Sequence, residues 1–82
     1  MAKVVLPLEV ARAFADGVTD HDVEARDVRA LVNALEARFP GIAERLSRGT
    51  AVAVDGEIYQ DWFLEEVRPD SDVRFLPAIE GG

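Results

Sequence analysis

Apolar residues along the chain recur with two periods. Val4, Val5, Leu6 and Leu8 make a β-branched and aliphatic run over residues 4–8 that reads as a first strand. A loop over residues 9–17 follows, with Ala15-Asp16-Gly17 as its turn signal. Over residues 18–25, Thr19, His21, Val23 and Ala25 alternate with Asp20, Asp22 and Glu24; this period of two predicts a half-exposed strand with one charged face. The period then lengthens. Val28, Leu31, Val32, Leu35 and Phe39 fall at i, i+3, i+4, i+7 and i+11, one face of a helix, and Arg29, Asn33, Glu36 and Arg38 mark its solvent side. Asp27 stands where an N-cap belongs, and Pro40-Gly41 ends the helix because proline restricts the residue before it and lacks a donor. A shorter helical turn is predicted over residues 42–46.

Residues 51–54 and 57–60 are two short strands joined by Asp55-Gly56, the dipeptide that best tolerates the positive φ angles of a two-residue hairpin turn. Trp62, Phe63, Leu64 and Val67 add apolar bulk, Pro69-Asp70-Ser71-Asp72 makes a turn, and residues 73–77 form the last strand. The order is strand, strand, helix, strand, short strand, strand, without repeat or linker. It fits an α+β domain with one main helix packed on one face of a mixed sheet. The expected division is a domain over residues 1–76 and a flexible C-terminal tail over residues 77–82.

Composition narrows the function. Eighty-two residues make one domain with a simple core. Sixteen acidic against nine basic residues, a net charge of −7, disfavour phosphate backbones and favour a partner with a basic face, so no nucleic acid partner is expected. There is no cysteine, so sulfur chemistry would have to use another atom, and the single His21 cannot assemble a metal site unaided. The start of the chain has no long apolar stretch of the signal-peptide kind and nothing approaches a membrane span, which predicts a cytoplasmic protein without a membrane partner. Other candidates read as structural: His21 as a strand-edge residue, Glu65-Glu66 as a solvated loop, Trp62 and Phe63 as core or rim packing. No constellation of catalytic side chains is present, and if the chain takes part in catalysis it does so as a carrier.

The tail Pro77-Ala78-Ile79-Glu80-Gly81-Gly82 carries the sharpest signal. Two terminal glycines have no Cβ, so the backbone can enter a channel too narrow for a side chain, with the Gly82 carboxylate at its tip. Six extended residues span at most about 20 Å, enough to reach a buried site in a partner while the domain stays outside. Strand alternation puts Val73 and Phe75 on one face and Leu76 on the other, which makes Leu76 a candidate contact.

The chain resembles the MoaD/ThiS sulfur carriers, prokaryotic relatives of ubiquitin. The resemblance rests on VRALVNALEARFPGIAERL (residues 28–46), AVAVDGEI (51–58) and DVRFLPAIEGG (72–82), and with the strand order it covers nearly the whole chain. It implies a ubiquitin-like β-grasp fold and a carrier cycle. A MoeB/ThiF-type adenylyltransferase would use ATP to adenylate the Gly82 carboxylate, a persulfide or sulfide would replace AMP, and the thiocarboxylate would be the product. The carrier itself would bind no cofactor. Phe75, Leu76, Pro77, Ala78, Ile79, Glu80 and Gly81 would contact the partners, and the protein would be a monomer alone and a hetero-oligomer with its recipient. The helix end Ala37-Arg38-Phe39-Pro40-Gly41 and the turn after it look more like MoaD, which implies the small subunit of molybdopterin synthase and a MoaE-type large subunit. The alternatives are a carrier feeding thiamin thiazole, cysteine or another thio-metabolite through another synthase, and a ubiquitin-like interaction or conjugation module without sulfur transfer. Glu80 departs from the family pattern, which usually has a small or uncharged residue there; its charge opposes anionic ATP or a pterin phosphate unless the partner neutralises it.

Overall fold

The computed structural model describes residues 1–77. It contains β1 (Ala2–Val5), α1 (Leu8–Phe14), β2 (Asp20–Val23), α2 (Val28–Arg38), α3 (Ile42–Leu46), β3 (Thr50–Val54), β4 (Glu57–Tyr59) and β5 (Asp72–Pro77). The five strands form one mixed sheet in the order β2-β1-β5-β3-β4. β1 and β5 run parallel, with Val4 beside Val73, and every other pair is antiparallel. This is the α+β, ubiquitin-like β-grasp architecture.

Alternation along the strands sorts residues between two faces. Val4, Val23, Val52, Val73 and Phe75 point to the helical side and meet Val10 of α1, Leu31 and Leu35 of α2 and Leu46 of α3 in one core. Val28, Leu31, Val32 and Leu35 of the stripe read from the sequence are buried, Phe39 stands at the C-cap and is half-buried, and Asp27 caps the helix by accepting from the Ala30 amide at 2.7 Å.

The first quarter of the chain differs from expectation. β1 ends at Val5, and the segment read as a loop holds α1. Pro7 fixes an extended backbone just before the helix, and Val10, Ala11, Phe14 and Ala15 then make an apolar stripe turned to the core. Seven residues are too few for that stripe to outweigh the β-branched run before it in a periodicity window. The turn was legible: Asp16 and Gly17 both have positive φ, and the Gly17 amide donates to the Ala11 carbonyl. β5 runs one residue beyond the expected domain boundary, with Pro77 paired opposite Thr50.

Gly41 opens α3 at φ 98°, a backbone conformation that favours glycine, and a Cβ there would lie 3.2 Å from the Phe14 ring, a tight contact with α1. The next turn is capped from a distance. The two carboxylate oxygens of Glu36 accept from the amides of Gly41 and Ala43, each at 2.9 Å, and this holds the Glu36 carboxyl below its ordinary range, chiefly through Gly41 and then Ala43. A carboxyl lowered in the folded state stabilises the fold above its unfolded pKa, and that stabilisation is lost as pH falls through the folded value. Glu36→Gln is therefore expected to melt below the parent near neutral pH, with the gap between the two melting curves closing as pH drops below about 4. A gap independent of pH would remove the carboxylate from the explanation.

Candidate functional site

The expected working end leaves from the middle strand of the sheet. β5 is flanked by β1 on one side and β3 on the other: the β1 ladder pairs Asp72 to Arg74, and the β3 ladder continues alone through Pro77. Val73 and Phe75 are buried, Arg74 is exposed, Leu76 is half-buried and Pro77 is exposed. Phe75 corrects the sequence reading that grouped it with the partner contacts. It is 2% exposed and meets the Trp62 ring edge-on at 5.9 Å, so it anchors the strand from within, at the floor of the groove beside Pro77. Leu76 is on the opposite face, as alternation required. Ala78, Ile79, Glu80, Gly81 and Gly82 lie outside the described residues.

Polar stitching fixes where β5 begins. The hairpin turn at Asp55-Gly56 has φ values of 49° and 89°, as its sequence demanded. Asp55 Oδ1 accepts from the Asp72 amide, Oδ2 accepts from the Ser71 hydroxyl, and the Asp55 amide donates to the Asp72 carbonyl, all at 2.9 Å. The Asp72 amide first and the Ser71 hydroxyl second hold the Asp55 carboxyl below its ordinary range. The Lys3 amide donates to the Ser71 carbonyl at 2.9 Å and ties the same point to β1. Trp62 Nε1 donates to the Thr50 carbonyl at 2.9 Å, across from Pro77, so the indole that packs on Phe75 also has its polar atom satisfied. The far end of β5 is thus fixed by its neighbours.

The sheet face away from the helices is open among the described residues. Arg74 lies between Val5 and Ala53, Ala53 faces Ile58 across the hairpin, and Leu76 faces Ala51. Ile58 is 66% exposed. At the β2 edge the face turns acidic, with Asp22 opposite Lys3 and Asp20 opposite Val5. At the end where β5 finishes, a groove of about 440 Å³ runs between the β1–α1 corner and the last turn of β5. Leu6, Leu8, Leu76 and Pro77 form much of its apolar wall, and Arg45, Arg74 and Glu9 are its charged side chains. Leu8 is 52% exposed and Arg45 reaches Glu9 at 3.5 Å. Sequence reading missed Leu8 and Arg45 because both depend on α1. Ile58 could have been found from the hairpin register, which puts it opposite Ala53.

The side chains read as structural behave so. His21 Nε2 donates to the Val18 carbonyl at 2.8 Å and its ring meets Phe39 edge-on at 5.3 Å. Glu66 bridges to Asp27 through the backbone and pairs loosely with Arg68 at 3.7 Å, both side chains well exposed. Trp62 is core, and Phe63, at its rim, is exposed. Among the described residues no group of three or more His, Asp or Glu side chains could hold a metal ion, and no helix is long and apolar enough to cross a membrane.

A family model, the ThiS family, matches residues 8–82. A chain in the crystal structure of the Amycolatopsis orientalis BexX/CysO complex is 24% identical, with all of both chains covered and a TM-score of 0.84. Mycobacterium tuberculosis CysO, described as an antigen, is 21% identical over 96% of this chain and 100% of its own, with a TM-score of 0.85. At these identities the two structures establish the shared fold. No curated protein sequence matches the chain.

Proposed function

The chain belongs to the ThiS family of sulfur carriers, and from that premise we propose that its working atom is the Gly82 carboxyl carbon, presented by a rigid domain to enzymes that activate and use it. A carboxylate is a poor electrophile. An adenylyltransferase joins a Gly82 carboxylate oxygen to the α-phosphorus of ATP, pyrophosphate leaves, and the acyl carbon gains AMP as a leaving group. Sulfide attacks that carbon, AMP departs, and a thiocarboxylate remains. With a persulfide donor the first product is an acyl disulfide, which a second thiol opens to the same thiocarboxylate. The cysteine-free body has no thiol to intercept either species.

The observation that carries this reading is the position of β5. The strand that leads to the Gly-Gly end is central in the sheet, paired with β1 as far as Arg74 and with β3 as far as Pro77, and anchored by Phe75, and its last described residue, Pro77, lines an apolar groove. For the recipient, two readings stand. The helix end at Ala37 to Gly41 and α3 favour the pterin precursor of a MoaE-type subunit, making the chain the small subunit of molybdopterin synthase. The α3 segment also lies within the span covered by the BexX/CysO complex chain, so it does not single out a MoaD-type recipient, and the likeness to two CysO-containing structures supports cysteine or another thio-metabolite.

Intact-mass measurement after incubation with a MoeB/ThiF-type adenylyltransferase, ATP and sulfide tests the carrier reading. The expected result is exchange of one oxygen for one sulfur, mapped to Gly82. AMP loading followed only by amide bonds to lysines would replace it with the conjugation reading. Supplying the loaded carrier to a MoaE-type subunit or to a cysteine-forming synthase, and following which one returns the carboxylate, decides the recipient.

A further inference from the structure

We propose that the groove beside Pro77 seats a segment of a partner protein in which a leucine-like side chain is flanked by carboxylates. Three observations point there. The groove starts where β5 ends, and the five residues after Pro77 reach at most about 18 Å, so any protein that acts on Gly82 must approach this end of the domain. Its wall is apolar and accessible, with Leu8 half-exposed and Pro77 exposed, and its volume is that of a site for one or two side chains.

Its charge also opposes that of the molecule. The protein carries −7, yet the groove has two guanidiniums, Arg45 and Arg74, against the single carboxylate of Glu9. Neither arginine is locked. Arg45 meets Glu9 at 3.5 Å with the Glu9 side chain 87% exposed, and Arg74 meets Asp72 at 3.2 Å with both side chains partly solvated. Exposed pairs of this kind are weak and exchange readily for a planar carboxylate on a partner. The β2 edge of the open face carries Asp20 and Asp22 instead. A partner lying across that face therefore meets basic groups at the tail's exit and acidic groups at the far edge, which fixes its direction on the sheet. A second depression, about 480 Å³ around Trp62 and Phe63, has Asp61 and no basic side chain in its lining, so it does not compete for an acidic segment.

The carrier reading supplies the reason a partner comes to this end, but the test does not depend on it. The isotope-labelled full chain is titrated with a hexapeptide of two leucines flanked by glutamates, and with the same peptide carrying lysines instead, while amide resonances are followed. The expected result is shifts at Leu8, Arg45 and Leu76, with the glutamate peptide bound at least about fivefold more tightly than the lysine peptide. The double variant Arg45→Glu/Arg74→Glu, checked for an intact amide spectrum, should reverse that preference. Equal affinity for the two peptides, no binding by either, or shifts centred on Trp62 and Phe63 would overturn the proposal; if the variant does not fold, the two-peptide comparison on the parent chain decides alone. Because no ATP, sulfur or enzyme is present, a chain that prefers the glutamate peptide yet is never thiolated refutes the carrier reading and leaves the groove standing. A chain that is thiolated but shows no preference does the opposite.

Discussion

Deleting Gly82 is expected to reduce thiocarboxylate formation by at least about 100-fold while leaving the melting temperature of the domain unchanged. The loss follows from reach and geometry. Removing one residue withdraws the terminal carboxylate by about 3.5 Å, and displacing a reacting group by about 1 Å already costs about two orders of magnitude in rate. Gly81 would then carry the carboxylate, so the chemistry of the end group is unaltered and only its position changes. Stability should be indifferent, because among the described residues every buried core residue lies at or before Phe75 and a chain end adds little packing. A time course of intact mass beside a thermal melt reads both quantities. Thiolation at the parent rate would dismiss Gly82 as the working residue, and a lowered melting temperature would mean that the terminus contributes to packing.

Replacing Phe75 with alanine should act in the opposite way, costing about 3–5 kcal/mol of stability. A domain of this size has roughly 4–12 kcal/mol in total, so the variant sits near the edge of folding and its melting temperature falls by more than about 12 °C. The cause is local. Phe75 is buried on the central strand, against Trp62, beside Val52 on β3, and truncation leaves a cavity between sheet and helices that its close-packed neighbours cannot close. Phe75→Leu, which keeps most of the volume, should cost far less. If Phe75 instead touched a partner, Phe75→Ala would raise the KM for the activating enzyme and leave the melting temperature where it was.

Much of this arrangement was legible residue by residue. The α2 stripe from Val28 to Leu35, the Asp27 cap and the Asp55-Gly56 hairpin follow from local rules, and all three are present because the tertiary structure agrees with the local preference. The alternation of β2 also held, with Asp20 and Asp22 exposed and Val23 buried. α1 was not legible. Its seven residues follow an aliphatic run that suits a strand equally well, and what makes them helical is the chance to bury Val10 and Ala11 against the sheet and α3. Missing α1 meant missing the groove, since Leu8 and Arg45 meet there only once that helix is in place.

The sequence by itself determined the fold class, the main helix, the hairpin and the identity of the terminal residues, because each depends on spacing, turn chemistry or residue type within a few positions. Only the tertiary structure decided that β5 lies at the centre of the sheet, that Phe75 faces inward as an anchor, and that two arginines from α3 and β5 flank one apolar groove. Those are relations between segments far apart in the chain. Their cause is burial of a shared core, which no local pattern encodes.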